Sequence, residues 1–183
     1  MAKIRKMIGK VDAPYIISLM RLIETQSKKT IVKWCNEYAR EHILPIYEKD
    51  YPKDLRLKNA LDAVNEWLEG NIKLTEAKKI IKEVQVAARE AENNHAAQAA
   101  ARAIGATTGT INTVTSSLGL AFYGSASVAY STAGVNESLE VYDEIAQREC
   151  KKMEDALRKV AITDELNPAK INWHCENVQS SIT

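Results

Sequence analysis

The sequence predicts an all-α fold, either a single-domain multi-helix bundle or a short α-solenoid-like stack, built around an uncharged core segment. Apolar residues recur at i, i+3, i+4 and i+7 through most of the chain, which is the spacing of a buried helical face. Alternating β-branched runs between tight turns, the usual signal of strands, are weak. Residues 103–136 are rich in Ala, Gly, Ser and Thr and contain none of the chain's 25 basic and 24 acidic residues.

The uncharged segment is long enough to cross a membrane, since about 20 apolar residues suffice. Its first half, however, is crowded with Thr, Ser and Asn, and only residues 118–129 are convincingly apolar. No cluster of Lys or Arg lies just outside its ends to orient a span. We therefore expect one or two helices buried in protein, and no membrane partner.

Length and charge restrict the classes of function. At 183 residues the chain predicts one helical domain, 1–183, with a flexible N-terminus at 1–13 and a polar tail at 163–183. A net charge of +1 without a basic run argues against nucleic-acid binding. The basic N-terminus lacks the apolar core of a signal peptide, so we expect a cytoplasmic protein. The three cysteines are far apart, which predicts reduced thiols.

The first two helices are predicted from Pro14 and Ser27. The first buries Ile16, Leu19, Met20 and Ile23. The second repeats the pattern at Ile31, Trp34, Cys35 and Tyr38. It is expected to end near His42, because Pro45 lacks a backbone donor.

Capping residues predict where the later helices begin. Asp54 is the expected N-cap of the third helix, which closes at Gly70-Asn71. Thr75 is the expected cap of the fourth, whose buried face is predicted to comprise Ala77, Ile80, Ile81, Val84, Ala88 and Ala91. The last long helix is predicted from Ser138 to about Val160, with Leu139 and Val160 among its buried residues.

Asp54, Arg56 and Trp67 form the candidate motif, which is either structural or partner-binding. At a helix N-terminus an acid and a base can hold the incoming loop. Trp67 lies about three turns further along, and its indole N–H needs a partner if the ring is buried.

Thr108, Asn112 and Thr115 are the candidate pocket in an alternative interpretation, a ligand site among the polar side chains of 107–117. The structural interpretation is that these hydroxyls satisfy helix carbonyls inside a tight core. The glycines here lack the Gly-Lys-Ser/Thr ending of a phosphate loop, and the three histidines are isolated in sequence. We therefore predict no catalytic residue, no cofactor and no metal.

Several sequence blocks, taken together, carry a family pattern. They follow Trp34 and are 43–48 (ILPIYE), 51–60 (YPKDLRLKNA), 67–70 (WLEG), 87–91 (AAREA), 99–105 (AAARAIG) and 120–123 (LAFY). These blocks resemble a family of immunity proteins from bacterial polymorphic-toxin systems. The chain departs from the family pattern at three positions. Leu57 replaces a proline, while Ala106 and Asn112 stand where histidines are common.

The resemblance implies an all-α fold and a non-enzymatic protein that neutralises a cognate toxin by stoichiometric binding. Two other functions stay open from the residues themselves. One is a helical small-ligand-binding domain or enzyme with a polar pocket near 107–117. The other is a structural homo-oligomer that uses an Ala/Gly face as its interface.

Overall fold

The computed structural model describes residues 4–174, which form helices joined by short connections. The α-helices are α1 (Pro14–Glu24), α2 (Lys28–Tyr38), α3 (Leu44–Glu48), α4 (Arg56–Leu68), α5 (Leu74–Glu90), α6 (His95–Gly109), α7 (Ser117–Thr132) and α8 (Leu139–Val160). A π-helical turn, Ala39–Ile43, joins α2 to α3, and a 3₁₀ turn, Val114–Ser116, precedes α7. Within this range there is no strand, only an isolated bridge between Ser27 and Pro168. The predicted all-α fold is confirmed.

The uncharged segment forms the end of α6 and the whole of α7, at the centre of the fold. α7 packs against α6 and α8. Its buried positions are Ser117, Leu118, Leu120, Ala121, Gly124, Ser125, Ala126, Ser127, Ala129 and Tyr130. Most of the segment is therefore buried in protein, as its lack of charge predicts, and its exposed positions are Asn112, Thr113, Ser131, Thr132 and Asn136. No helix within residues 4–174 is both long and apolar enough to span a bilayer.

Small residues allow α6 and α7 to approach closely. A Cβ atom added to Gly119 would lie 2.4 Å from the Cβ of Ala106, a distance that real Cβ atoms essentially never show. Gly119 is thus required by the packing of its helix and not by its backbone conformation.

The second predicted helix does not stop before Pro45. The chain widens into the π turn, where the Leu44 amide donates to the Ala39 carbonyl five residues back, and then continues to Glu48. Because Pro45 has no amide to donate, the wider turn lets the chain pass the proline and keep its helical course.

Two predicted caps are wrong by one or two residues. The N-cap of α4 is Leu55 and that of α5 is Lys73, in place of Asp54 and Thr75. Asp54 still accepts a hydrogen bond from the Arg56 amide, at 3.1 Å. Glu76 accepts from the Lys73 amide, at 3.0 Å, so the acidic residue satisfies the first turn of α5.

Three apolar residues predicted to be buried lie at helix edges or ends and are exposed. They are Ile80, Leu139 and Val160. Amphipathic spacing identifies the buried stripe of a helix, but not how far the neighbouring helices extend along it.

Both ends of the described chain contact the helical body. Near the N-terminus, predicted to be flexible over 1–13, Ile8 is buried and its amide donates to the Phe122 carbonyl at 3.3 Å. Near the other end, in the predicted tail, the Glu165 carboxylate accepts from Ser27 and Thr30, and the Trp173 indole donates to Glu24 at 2.6 Å. The rest of the predicted tail, 175–183, lies outside the described residues.

Candidate functional site

Asp54 and Arg56, two of the predicted motif residues, form a tight ion pair at the start of α4. The Arg56 Nε and Nη2 atoms donate to the two Asp54 carboxylate oxygens at 2.9 and 2.7 Å. Tyr47 from α3 donates its hydroxyl to Asp54 at 2.6 Å, and Arg56 Nη2 also reaches Glu90 at 2.5 Å. This cluster therefore links α3, the α3–α4 loop and the end of α5.

The hydrogen bonds from Arg56 dominate the electrostatics of this cluster. They lower the pKa of Asp54 to about 2, with further help from the Tyr47 hydroxyl and the Arg56 amide and against the opposing effect of burial. Burial, together with the carboxylate, raises the pKa of Tyr47, and the two carboxylates raise that of Arg56. The charges of this cluster are thus held in place, and Arg56 is already paired with two carboxylates, those of Asp54 and Glu90.

Trp67 does not join this cluster. Its half-buried ring packs against a separate group of apolar side chains around Val32, Val64 and Ile111. The Lys28 ammonium lies 5.7 Å from the ring centroid, within cation–π range. The structure thus brings together two members of the predicted trio and places the third near another part of the core.

The candidate pocket residues lie in three different settings. Thr108 is fully buried, and its hydroxyl donates to the carbonyls of Ile104 and Gly105 at 2.9 and 3.2 Å. Asn112 is exposed, and Thr115 is half-buried in the 3₁₀ turn. The Thr108 hydroxyl behaves as the structural interpretation expects, and a pocket shared by the three residues stays a prediction.

A groove between α5 and α6 is the arrangement that sequence reasoning missed. It encloses about 420 Å³. Small and apolar residues form its walls, including Val84, Ala88, Ala101 and Gly105. Its polar lining consists of Lys6, Gln85, Arg89, Gln98, Arg102 and Tyr123.

The charged groups of this α5–α6 groove all carry the same sign. A smaller cavity of about 140 Å³ shares Lys6, Gln98 and Arg102 with it and adds Arg5 and His95. Among residues 4–174, no Asp or Glu lines either cavity. Within residues 4–174, Arg5, Lys6, Arg89 and Arg102 form no ion pair, whereas Arg56 pairs with two carboxylates.

The local sequence contains only a weak signal for this groove. Arg89 follows two alanines and Arg102 follows three, and a break between the two helices at 92–94 (ENN) separates them. Two alanine-rich helices around such a break suggest a hairpin with small residues at its interface. The pattern does not predict that Lys6 and Tyr123 also line this groove.

Comparison with known families matches residues 21–156 to the model described as "Imm-5 like putative immunity protein". The chain belongs to this family. The Imm-5 like match runs from within α1 to near the end of α8, so it includes the Asp54–Arg56 cluster, Trp67, Arg89, Arg102 and Tyr123. Comparisons with curated proteins and with solved structures found no match.

Membership of the Imm-5 like family suggests a role in immunity and, in general terms, a toxin as the partner. It also suggests a non-enzymatic role. Lys6 lies outside the matched range, so the groove combines residues of the family region with one from the preceding segment.

Proposed function

We propose that this protein neutralises a cognate bacterial toxin in the cytoplasm by stoichiometric binding, with no turnover of its own. The observation that carries the proposal is the family match, which covers α2 to α7 and most of α8. A binding protein must present a surface that the toxin contacts and hold it in one conformation.

The architecture suits that task. The Asp54–Arg56–Glu90 pairs hold the α3–α4 loop to the end of α5, and the hydrogen bonds of Glu165 hold the C-terminal segment to the start of α2. Fixing these connections before binding reduces the conformational entropy that association would otherwise cost. Specific interfaces typically bury about 1,600 Å² and depend on a few aromatic and arginine anchors.

The gene next to the one for this protein is the first place to seek a candidate toxin, and co-expression with that candidate tests the proposal. We expect growth to be rescued, and the two proteins to copurify as a complex of fixed stoichiometry in size-exclusion chromatography with light scattering. Rescue by substoichiometric amounts of this protein, without a stable complex, would instead indicate an enzyme that acts on the toxin or its product.

Other outcomes of the same experiment would favour the alternatives. A small molecule retained by the purified protein and lost on changing Thr108, Asn112 or Thr115 would indicate a ligand-binding domain. Assembly of the protein with itself, together with no effect on toxicity, would indicate a structural oligomer.

Trp67 is a candidate anchor for the toxin within this proposal, because its ring is half-buried and the Lys28 ammonium lies beside it. Trp67→Ala separates the two interpretations of that residue. A loss of toxin binding without a change in melting temperature indicates a contact with the partner. A lowered melting temperature with binding intact indicates a structural role.

A further inference from the structure

We propose that the α5–α6 groove is the part of this protein that receives the toxin, and that it binds an extended acidic segment carrying Asp or Glu side chains. This inference rests on the proposed function and specifies the surface and chemistry of the contact. Its basis is the one-sided charge of the groove and the absence of carboxylate partners for that charge within residues 4–174.

The guanidinium groups of Arg89 and Arg102 are the principal donors. They project from neighbouring helices into one cavity, and Lys6 adds a third positive charge from the N-terminal segment. A guanidinium presents a planar fork of N–H groups that matches the two oxygens of a carboxylate. Arg56 shows this pairing within the same molecule, where two of its nitrogens contact Asp54.

The neighbouring acid does not neutralise the groove. Glu90, the residue next to Arg89, pairs with Arg56 at 2.5 Å. The Asp54–Arg56 cluster thereby engages the closest carboxylate in the sequence of α5 and leaves Arg89 without a partner in the described chain.

The size of the groove suits a short piece of polypeptide. The α5 residues that line it extend from Ile81 to Arg89, about 12 Å along the helix at 1.5 Å per residue. An extended chain rises about 3.3 Å per residue, so three or four residues cover that length. Ile81, Gly105 and Ala106, which are partly exposed, provide apolar contact between the charged positions. The side-chain amide of Gln85 and the Tyr123 side chain provide polar contact.

A protein segment fits these features better than nucleic acid does. The cations that line the groove and its extension are Arg5, Lys6, Arg89 and Arg102, and the whole chain has a net charge of only +1. Nucleic-acid sites usually show a basic stripe on a strongly basic domain, often with several aromatic residues for stacking.

The test compares the wild type and three variants of the full chain in binding to the candidate toxin identified by co-expression. The groove variant is Arg89→Gln with Arg102→Gln, which keeps long polar side chains in helices. The matched control is Lys29→Gln with Lys79→Gln, which removes the same charge from exposed positions without ion pairs in the described chain. A third form, Lys6→Gln, changes the groove without altering a helix. Circular dichroism melts verify that each form is folded.

We expect the groove variant to lose toxin affinity by about 30-fold or more, while the control stays within about threefold of the wild type. Lys6→Gln should lose affinity in the same direction but less. The affinity of the wild type should decrease as the NaCl concentration is raised from 50 to 300 mM, and the decrease should be smaller in the groove variant. Equal binding by all forms, or an equal loss in the control, would overturn the proposal that the groove receives the toxin, while leaving the proposed function in place.

If the wild type does not bind the toxin, the proposed function fails. A peptide titration then tests separately whether the groove binds an acidic segment. A Glu-rich octapeptide and its Gln counterpart are titrated while NMR shifts of α5 and α6 amides are recorded. Chemical-shift changes in the wild type with the Glu peptide but not with the Gln peptide, together with no changes in the groove variant, would support a site for an acidic segment. No shifts, or stronger binding by an RNA oligonucleotide of equal length, would overturn it.

Discussion

The two sides of α6 use the same small residues for opposite purposes. Toward α7, Ala106 meets Gly119 so closely that a single added methyl group would collide. Toward α5, the partly exposed Gly105 lines an open groove that charged side chains border, and Ala106 contributes to both surfaces. Small side chains therefore do not by themselves specify tight packing. Whether they produce contact or a cavity depends on how near the neighbouring helix lies.

The same contrast appears among the arginines next to that groove. Arg56 is saturated by Asp54 and Glu90, whereas Arg89 and Arg102 have no carboxylate partner within residues 4–174. We interpret the first arrangement as part of the fold and the second as available for a partner. Changes on the packed side and in the paired cluster should therefore affect stability, and changes at the groove should affect binding.

The largest effect is expected from Gly119→Leu on the packed side. Its Cβ alone would lie 2.4 Å from that of Ala106, so α6 and α7 would have to separate. We expect a loss of about 3 kcal/mol in the free energy of unfolding, measured by urea denaturation. Ala121→Leu, which changes another buried position of α7, should also destabilise. An unchanged unfolding midpoint for both variants would contradict the close packing described here.

The paired cluster gives a somewhat smaller and pH-dependent effect. Because the pKa of Asp54 is lowered to about 2 in the folded state, its ionised form contributes stability above the ordinary pKa near 4. That contribution is lost as the pH falls through 2. Asp54→Asn should therefore cost about 2 kcal/mol at pH 7, a difference from the wild type that shrinks below pH 4. A difference independent of pH would show that the carboxylate charge is not responsible.

A change of opposite sign is expected where α6 faces the groove. In Gly105→Ala the added Cβ would lie 3.6 Å from the nearest Val84 carbon, an ordinary contact, and the helix interior favours alanine over glycine. We expect a gain of about 1 kcal/mol in unfolding free energy. The matched counterpart of this variant is Gly119→Ala, which should destabilise because the same added Cβ meets Ala106. Destabilisation by Gly105→Ala would mean that the two sides of α6 are equally packed.

The smallest effect on stability is expected at the groove cations. Arg89→Gln with Arg102→Gln removes no ion pair of the described chain, so unfolding free energy should change by about 0.5 kcal/mol or less. A loss of several kcal/mol would show that these arginines serve the fold and would remove the contrast with Arg56.

Much of the secondary structure could be predicted because its causes are local. The predicted starts of α2 and α8 are correct to within a residue, because Ser27 and Ser138 cap them, and such a cap involves only three neighbouring residues. The buried faces of α1 and α2 follow from helical spacing. The family resemblance identified from the sequence blocks was confirmed over residues 21–156.

The candidate site could be predicted only in part. Asp54 and Arg56 are neighbours in sequence, and their pairing requires nothing beyond a turn. Their contacts with Tyr47 and Glu90 depend on where α3 and α5 end in space. Trp67 shares a helix with Arg56, yet it packs near Val32 and Ile111. These two residues belong to other parts of the chain, so their position beside Trp67 depends on the tertiary fold.

The sequence by itself determined the helical content, the burial of most of an uncharged segment and where several helices begin, because each depends on composition or on residues a few positions apart. Tertiary structure alone decided how the chain passes Pro45, which glycine has no room for a side chain and which arginines lack a carboxylate partner within residues 4–174. The physical reason is that packing and ion pairing are set by distances between residues far apart in the chain. Local spacing does not encode those distances, as the different surroundings of Gly105 and Gly119 demonstrate.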